Sequence, residues 1–310
     1  MNTQTKFVEL DSSQFIKIGG PDCKKFLQGQ LSCNMDLLSS QRSLRGAICN
    51  LKGRVIADVR VLQLGNDCLL QVGPDMANIV VTTLSKYAIF SKVKLEIQDA
   101  HPAPLGIIGE LPPQLLQLFP EPPDATDGVC QVEDASLIRI AGTEPRFELW
   151  FNFETSARQF RAAIPAAQRI TSAAWKRADI AVGIVHVDPT ITEEFTPQLL
   201  NYDISGVIDF KKGCYTGQEV VARMYYRGIA KKRLYLASTA NKIEPEDSVH
   251  LIGDAEDKST VILAFSNAAT ESGEANLLLT ILGTDAVESG ARFTLADQPE
   301  AELTILPLQY

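Results

Sequence analysis

Residues 209–219, with the sequence DFKKGCYTGQE, gather side chains suited to nucleophilic chemistry in one short segment. Cys214 stands between two glycines, behind Lys211 and Lys212, and ahead of a helix predicted from Gln218. Positive charge and a helix N-terminus both stabilise a thiolate, so this placement predicts a reactive cysteine. The alternative is a tight glycine loop into a helix with an inert buried thiol, and the spacing alone leaves that alternative open.

The same segment lies in a region of positive charge. The chain carries a net charge of −9, which argues against a protein that binds nucleic acid over its whole surface. Residues 205–235 nevertheless hold seven basic and two acidic side chains, a local charge of +5. Within it, Arg223 and Arg227 lie four residues apart on the predicted helix and share a face. This region is a candidate anion site, and a solvated charged surface is the alternative.

The remaining cysteines and histidines do not suggest a metal site. Five cysteines at positions 23, 33, 49, 68 and 130 and three histidines show no paired CxxC or HxxxH spacing, so no metal ligands are assigned. Most of these cysteines are expected to be small buried hydrophobic residues.

The elements that must position the segment predict an α+β protein. A helix after position 22, a hairpin or meander over 46–72, a helix over 74–90 and a strand at 93–97 indicate a first subdomain, residues 1–100. Proline-rich residues 101–124 mark a boundary, and helices over 153–164 and 172–182 belong to a second subdomain, residues 101–235. Short strands in residues 236–310 predict an antiparallel barrel.

Composition sets the broad class. At 310 residues, with 45% hydrophobic and 22% charged residues, the chain is typical of a soluble protein of two or three domains. No apolar run reaches the length of a membrane span, and no apolar signal-peptide core follows the first residues. We therefore expect a cytoplasmic protein without a membrane partner.

The run KKGCYTGQE, followed by VAR and then YRG, resembles the signature of the YgfZ family, a branch of the superfamily of the folate-dependent glycine-cleavage T-protein (GcvT). Further similarity to that family lies in the segments FLQGQL (26–31), NLKGR (50–54), YAIFSKV (87–93) and FTPQ (195–198). The resemblance covers most of residues 5–235.

The resemblance implies a GcvT-like fold, with three domains in a ring around a channel that admits tetrahydrofolate and with the C-terminal barrel as the last domain. The implied role is folate-linked support of iron–sulfur enzymes, including those that thiomethylate tRNA, with Cys214 as the functional thiol. Whether Cys214 turns over a one-carbon or sulfur substrate stays open. A working aminomethyltransferase and a non-catalytic tRNA- or protein-binding module are the alternatives.

The resemblance also implies roles for single residues. Trp175 is expected to stack on the folate, and Asp58 to lie beside its reactive nitrogen, although Ala57 stands where aminomethyltransferases keep a second acid. Lys212, Tyr215, Arg223 and Arg227 are assigned to the folate or to an anionic partner. Ala181 stands where a pterin-binding glutamate is expected, which weakens the expected grip on folate, and Asp179 is expected to face elsewhere.

Overall fold

The computed structural model describes residues 5–228, 230–253, 259–268 and 275–310. The α-helices in these ranges are α1 (Cys23–Gln28), α2 (Ala77–Ala88), α3 (Pro113–Leu118), α4 (Glu154–Ala163), α5 (Ser172–Ala181), α6 (Gln218–Arg227) and α7 (Thr284–Glu288). The strands are β1 (Lys6–Glu9), β2 (Gln14–Gly19), β3 (Leu44–Cys49), β4 (Val55–Leu64), β5 (Asp67–Val72), β6 (Lys94–Ile97), β7 (Leu105–Ile108), β8 (Val129–Gln131), β9 (Ala135–Ile140), β10 (Arg146–Phe151), β11 (Lys232–Thr239), β12 (Ser248–Leu251), β13 (Ser259–Ser266), β14 (Asn276–Gly283), β15 (Phe293–Leu295) and β16 (Gln298–Leu306).

The first sheet has the strand order β3-β4-β5-β2-β6, and all its neighbouring pairs are antiparallel. Strands β3, β4 and β5 follow one another as antiparallel neighbours, so the hairpin or meander predicted over 46–72 is a three-stranded meander. One face is covered by α1 and α2, whose residues Leu27, Val80 and Leu84 are fully buried in the core. The predicted succession of helix, hairpin or meander, helix and strand in this region is confirmed.

The second sheet has the order β1-β7-β10-β9-β8, so the first strand of the chain pairs with β7. All six residues of β10 are buried. On one face, Phe147 and Leu149 pack with the core under α3 and α4. Because side chains alternate along a strand, Arg146, Glu148 and Trp150 share the opposite face, where Trp150 packs in a core with residues of the first sheet. The sequence RFELWF therefore places two charged groups between the sheets.

The last unit is a closed antiparallel barrel in the order β11-β14-β13-β12-β15-β16, with β11 paired to both β14 and β16. It confirms the predicted C-terminal barrel. Ile180 of α5 packs against Leu279 and Ile281 of β14, which fixes the barrel to the rest of the chain. The domain boundaries 1–100, 101–235 and 236–310 stay a prediction. No helix in the described ranges is long and apolar enough to cross a membrane.

Candidate functional site

A cavity of about 560 Å³ lies where the two sheets, α5 and the barrel meet. Strands β4, β5 and β10 supply its polar wall, α5 and the segment 184–188 supply a second wall, and Leu263 and Ala264 of the barrel close it. A volume of this size falls within the range of about 300–1,000 Å³ that is typical of small-molecule sites. Its lining includes two of the predicted site residues, Asp58 and Trp175.

Asp58 belongs to a chain of charged groups along the cavity wall. Its Oδ2 lies 2.9 Å from Nδ1 of His186, and its Oδ1 accepts a 2.7 Å hydrogen bond from the backbone N–H of Val187. The other ring nitrogen of His186 lies 3.6 Å from Oδ2 of Asp179, whose Oδ1 accepts a 2.7 Å hydrogen bond from Arg146. Two acidic and two basic side chains thus alternate, and Asp58, His186 and Asp179 line the cavity while Arg146 lies behind them.

His186 is the protonated member of this chain. The surrounding cavity walls remove part of the solvent around the ring, which lowers the pKa of His186, but the carboxylates of Asp58 and Asp179 outweigh this effect and raise the pKa to about 10. The ring faces the open space of the cavity, and 56% of its side chain is accessible. Burial by itself raises the pKa of Asp58, yet His186 and the Val187 N–H hold that pKa below its usual range. Asp58 is therefore ionised, and each of its two oxygens faces one donor.

Arg146 anchors the far end of the chain. Its side chain is 0% exposed, it donates to the backbone carbonyl of Ala141 at 3.0 Å, and its guanidinium lies 4.0 Å from the ring centroid of Trp175. Gly106 lies beside the same ring, where a Cβ atom would approach the indole to 2.7 Å. Trp175 is accordingly buried, with a guanidinium on its ring, and it borders the cavity with a small part of its surface.

Glu148 is a second buried acid of the cavity. Its Oε2 accepts hydrogen bonds from the indole N–H of Trp150 at 2.7 Å and from the amide of Gln71 at 3.0 Å. Both bonds reach the same oxygen, so Oε1 has no partner among the described residues. This arrangement leaves one carboxylate oxygen of Glu148 available to a ligand with N–H donors.

The KGCYTGQE segment lies against α1 and the β3–β4 turn instead of lining this cavity. Lys212 is buried, and its Nζ donates to the carbonyl of Gln28 at 2.6 Å and to that of Leu31. Burial lowers the pKa of Lys212 to about 8. Gly217 adopts φ +82°, and a Cβ there would lie 2.4 Å from the carbonyl oxygen of Asn50. Lys212 and Gly217 therefore hold the loop in place.

Tyr215 and Cys214 of the KGCYTGQE segment differ in their exposure to solvent. Tyr215 is buried, and its hydroxyl has no hydrogen-bond partner. Burial raises the pKa of this tyrosine. Cys214 is exposed, whereas four of the other cysteines are buried and Cys130 is half-buried. Burial raises the pKa of Cys33 and of Cys49 to about 12. Cys214 is thus the accessible thiol of the described chain, although it does not line the cavity.

Arg223 is exposed on α6, outside the cavity lining. Arg227 ends α6, and its side chain lies outside the described part of the structure. The structure therefore brings Asp58 and Trp175 together but places Lys212, Cys214, Tyr215 and Arg223 elsewhere. Among the described residues, no three His, Cys, Asp or Glu side chains form a group that could hold a metal ion.

Position 181 is not part of the cavity lining, whereas its neighbours Asp179 and Ile180 are. The expectation that Asp179 faces elsewhere is wrong, because Arg146 draws its carboxylate to the wall.

The sequence reasoning also missed Glu148, Arg146 and His186. A usable signal existed for the first two, since charged residues inside an apolar strand such as RFELWF must find partners. His186 carries no comparable signal.

The comparison with curated proteins points to one family, and the comparison with solved structures shows the fold. No family model matches the chain. The tRNA-modifying protein YgfZ of Photorhabdus laumondii is 33% identical over 308 residues, covering 98% of this chain and 92% of that protein. The protein of the same name from Klebsiella pneumoniae is 32% identical over 305 residues, covering 97% and 91%. Among solved structures, the glycine cleavage system aminomethyltransferase T from Bartonella henselae superposes with a TM-score of 0.78 at 14% identity, covering 97% of this chain and 84% of that one. That likeness shows the fold.

Proposed function

This chain belongs to the YgfZ family, and on that premise we propose that it binds a reduced folate in the cavity and supports tRNA modification by iron–sulfur enzymes. One observation carries the folate part of the proposal. The cavity combines a buried carboxylate that has a free oxygen, an indole, and a volume of about 560 Å³ between apolar walls.

The residues present fit the parts of tetrahydrofolate. Its pterin carries a guanidine-like edge of N–H donors, which suits the free oxygen of Glu148 because charge-assisted hydrogen bonds are strong. Apolar residues such as Val59 and Ile184 suit the ring faces, and the cations Arg45 and Lys176 suit the carboxylates of the glutamate tail. When bound, tetrahydrofolate supplies a carrier for one-carbon units. Because Glu148 can accept the pterin, an alanine at 181 does not argue against folate binding.

The state of Asp58 argues against the alternative of a working aminomethyltransferase. A general base is most effective when its pKa lies near the working pH, and a carboxylate whose pKa is lowered is a weak base. Both oxygens of Asp58 already face hydrogen-bond donors, one on His186 and one on Val187, and its pKa is lowered. The cavity therefore suits binding of folate better than removal of a proton from it.

Cys214 is the group through which we propose that the protein serves its iron–sulfur clients. Its thiol is exposed in a loop held by the buried Lys212, so it is accessible while its backbone position is fixed. An exposed, fixed thiol is suited to contact a partner protein's sulfur or metal chemistry, because the thiolate is the nucleophile and the metal ligand.

The folate part is tested by fluorescence, because the only two tryptophans are Trp150 and Trp175 and both lie at the cavity wall or one hydrogen bond from it. Tetrahydrofolate is expected to change the emission saturably. p-Aminobenzoylglutamate, which lacks the pterin, is expected to bind at least tenfold more weakly. No saturable change at millimolar tetrahydrofolate, or equal binding of both compounds, contradicts the proposal.

The client part is tested in cells that lack the protein, by mass spectrometry of thiomethylated tRNA nucleosides. Cys214→Ser is expected to fail to restore the modification, whereas the matched variant Cys130→Ser is expected to restore it. Full restoration by Cys214→Ser contradicts the assigned role.

A further inference from the structure

An aromatic cluster lies on the outside of the protein beside the KGCYTGQE loop. The rings of Phe210 and Tyr225 stack with centroids 3.8 Å apart and planes inclined by 15°. Tyr226 meets both rings edge-on, at 6.1 Å from Phe210 and 5.0 Å from Tyr225. The tyrosines stay accessible, with 42% of Tyr225 and 69% of Tyr226 exposed. We call these three residues the aromatic platform.

The platform is flanked by exposed positive charge. Lys211 follows Phe210, Arg223 precedes Tyr225 by two positions, and Lys231 and Lys232 follow the end of α6. Two acids belong to the same segment: Glu219 is exposed, and the half-buried Asp209 accepts a 2.7 Å hydrogen bond from the backbone N–H of Lys211. Arg233 pairs with Asp203 at 2.9 Å. Residues 205–235 carry +5 in a chain whose net charge is −9, so the platform belongs to a positive segment of an acidic protein.

We propose that the aromatic platform stacks unpaired bases of an RNA, with Lys211 and Arg223 contacting the adjacent phosphates. Exposed aromatic rings next to cations are the features by which proteins hold single-stranded nucleic acid, because every base has a face that can stack. Unpaired loops of RNA present such bases, whereas the bases of a duplex are stacked internally. This inference rests on the tRNA part of the proposed function and deepens it by naming the surface and the unpaired state of the RNA.

The position of the platform in the chain relates it to the functional loop. Phe210 precedes Cys214 by four residues, and α6, which carries both tyrosines, begins directly after the loop at Gln218. An RNA segment on the platform therefore lies next to the loop that carries the accessible thiol. The folate cavity is separate, because no platform residue lines it.

The test is fluorescence anisotropy with a labelled RNA hairpin that has an unpaired loop, and with a blunt duplex of the same number of phosphates. Tyr226→Ala is expected to raise the Kd for the hairpin about fivefold to hundredfold, the range for loss of one stacked base. Tyr226→Phe keeps the ring and is expected to retain affinity. Phe90→Ala is the matched control, since Phe90 is 98% exposed and lies near Lys92. It is expected to leave the Kd unchanged.

Arg223→Gln tests the phosphate contact. The plot of log affinity against log salt concentration has a negative slope, and loss of one phosphate contact to a single strand is expected to make that slope shallower by about 0.7. An unchanged hairpin Kd in Tyr226→Ala, or an equal loss on hairpin and duplex, overturns the proposal. A polyglutamate peptide that binds wild type and loses affinity in Tyr226→Ala, while the hairpin does not, would instead assign the surface to an acidic protein.

The same variants are titrated with tetrahydrofolate by tryptophan fluorescence, which separates this inference from the folate proposal. Tyr226 lies outside the cavity, so its variants are expected to bind tetrahydrofolate as wild type does. Loss of hairpin binding with intact folate binding supports the platform. If wild type binds the hairpin but not tetrahydrofolate, and Tyr226→Ala weakens hairpin binding, only the folate proposal is refuted.

Discussion

Arg146 holds Asp179 in the cavity wall through a buried ion pair, and Arg146→Met tests how much this pair stabilises the fold. The arginine side chain is 0% exposed, donates to Asp179 at 2.7 Å and to the Ala141 carbonyl at 3.0 Å, and lies against Trp175. Methionine replaces much of the apolar stem and removes every polar contact. The substitution therefore isolates the charge from the packing of the side chain.

The expected loss in the free energy of unfolding follows from the carboxylate of Asp179, which the substitution leaves without its arginine partner. Asp179 stays buried with His186 at 3.6 Å as its remaining partner. Removing one member of a buried ion pair costs about 3–5 kcal/mol, because the other charge is left uncompensated. Since His186 still faces the carboxylate, we expect a loss in the lower half of that range, about 3–4 kcal/mol.

Urea unfolding followed by tryptophan fluorescence measures this loss, and a double-mutant cycle with Asp179→Asn isolates the pair. Neutralising the orphaned acid is expected to recover about 1–3 kcal/mol, so that the double variant is more stable than the sum of the single effects. A loss below about 1 kcal/mol in Arg146→Met, or strict additivity in the cycle, would show that the buried pair of Arg146 and Asp179 does not stabilise the fold.

Three further predictions concern the charged and reactive groups. The pKa of His186 is raised from 6.5 to about 10 on folding, so its stabilisation is complete below pH 6.5 and is lost as the pH rises to 10. The Tm of wild type should therefore fall more steeply between pH 7 and 10 than that of His186→Gln; parallel curves would argue against stabilisation by the ion pairs of His186 with Asp58 and Asp179. Lys212→Met should lower the free energy of unfolding by about 2–3 kcal/mol, because two carbonyls of the α1 end lose a charged donor. In urea unfolding, substitution of the exposed Lys211 by Met should change the free energy of unfolding by less than about 0.5 kcal/mol. Equal losses in the two variants would contradict the structural role of Lys212. Limiting iodoacetamide followed by peptide mass spectrometry should find Cys214 labelled first, since it is exposed; equal labelling of Cys33 and Cys49 would contradict their burial.

The fold was largely predictable from local patterns. Alternation in β4, helical spacing in α2 and the short strands after position 233 each gave the correct element, because burial of one face imposes a period on the sequence. The pairing of β1 with β7 was not predictable, since Lys6–Glu9 is four residues long and its partner is almost a hundred residues away. Strands β8 and β9 were also missed, because they follow a proline-rich segment that resembles loop.

The candidate site was predicted in part, for a physical reason. Asp58 and Trp175 could be assigned from the family resemblance, and the structure places both at the cavity. The basic residues of 205–235 could not be sorted from sequence, because charge alone does not tell a buried lysine such as Lys212 from an exposed arginine such as Arg223. The chain of Asp58, His186, Asp179 and Arg146 joins segments far apart in sequence, and tertiary packing alone creates it.

Isothermal titration calorimetry of tetrahydrofolate with wild type and Glu148→Gln tests whether the carboxylate of Glu148 binds the pterin. Glutamine keeps an acceptor for Trp150 and Gln71 but removes the charge offered to the pterin. The Kd is expected to rise about tenfold to hundredfold, which corresponds to loss of a charge-assisted hydrogen bond. Glu144→Gln, an exposed acid just before the same strand, is expected to leave the Kd unchanged. An equal Kd in wild type and Glu148→Gln, or no binding by wild type, would contradict the account.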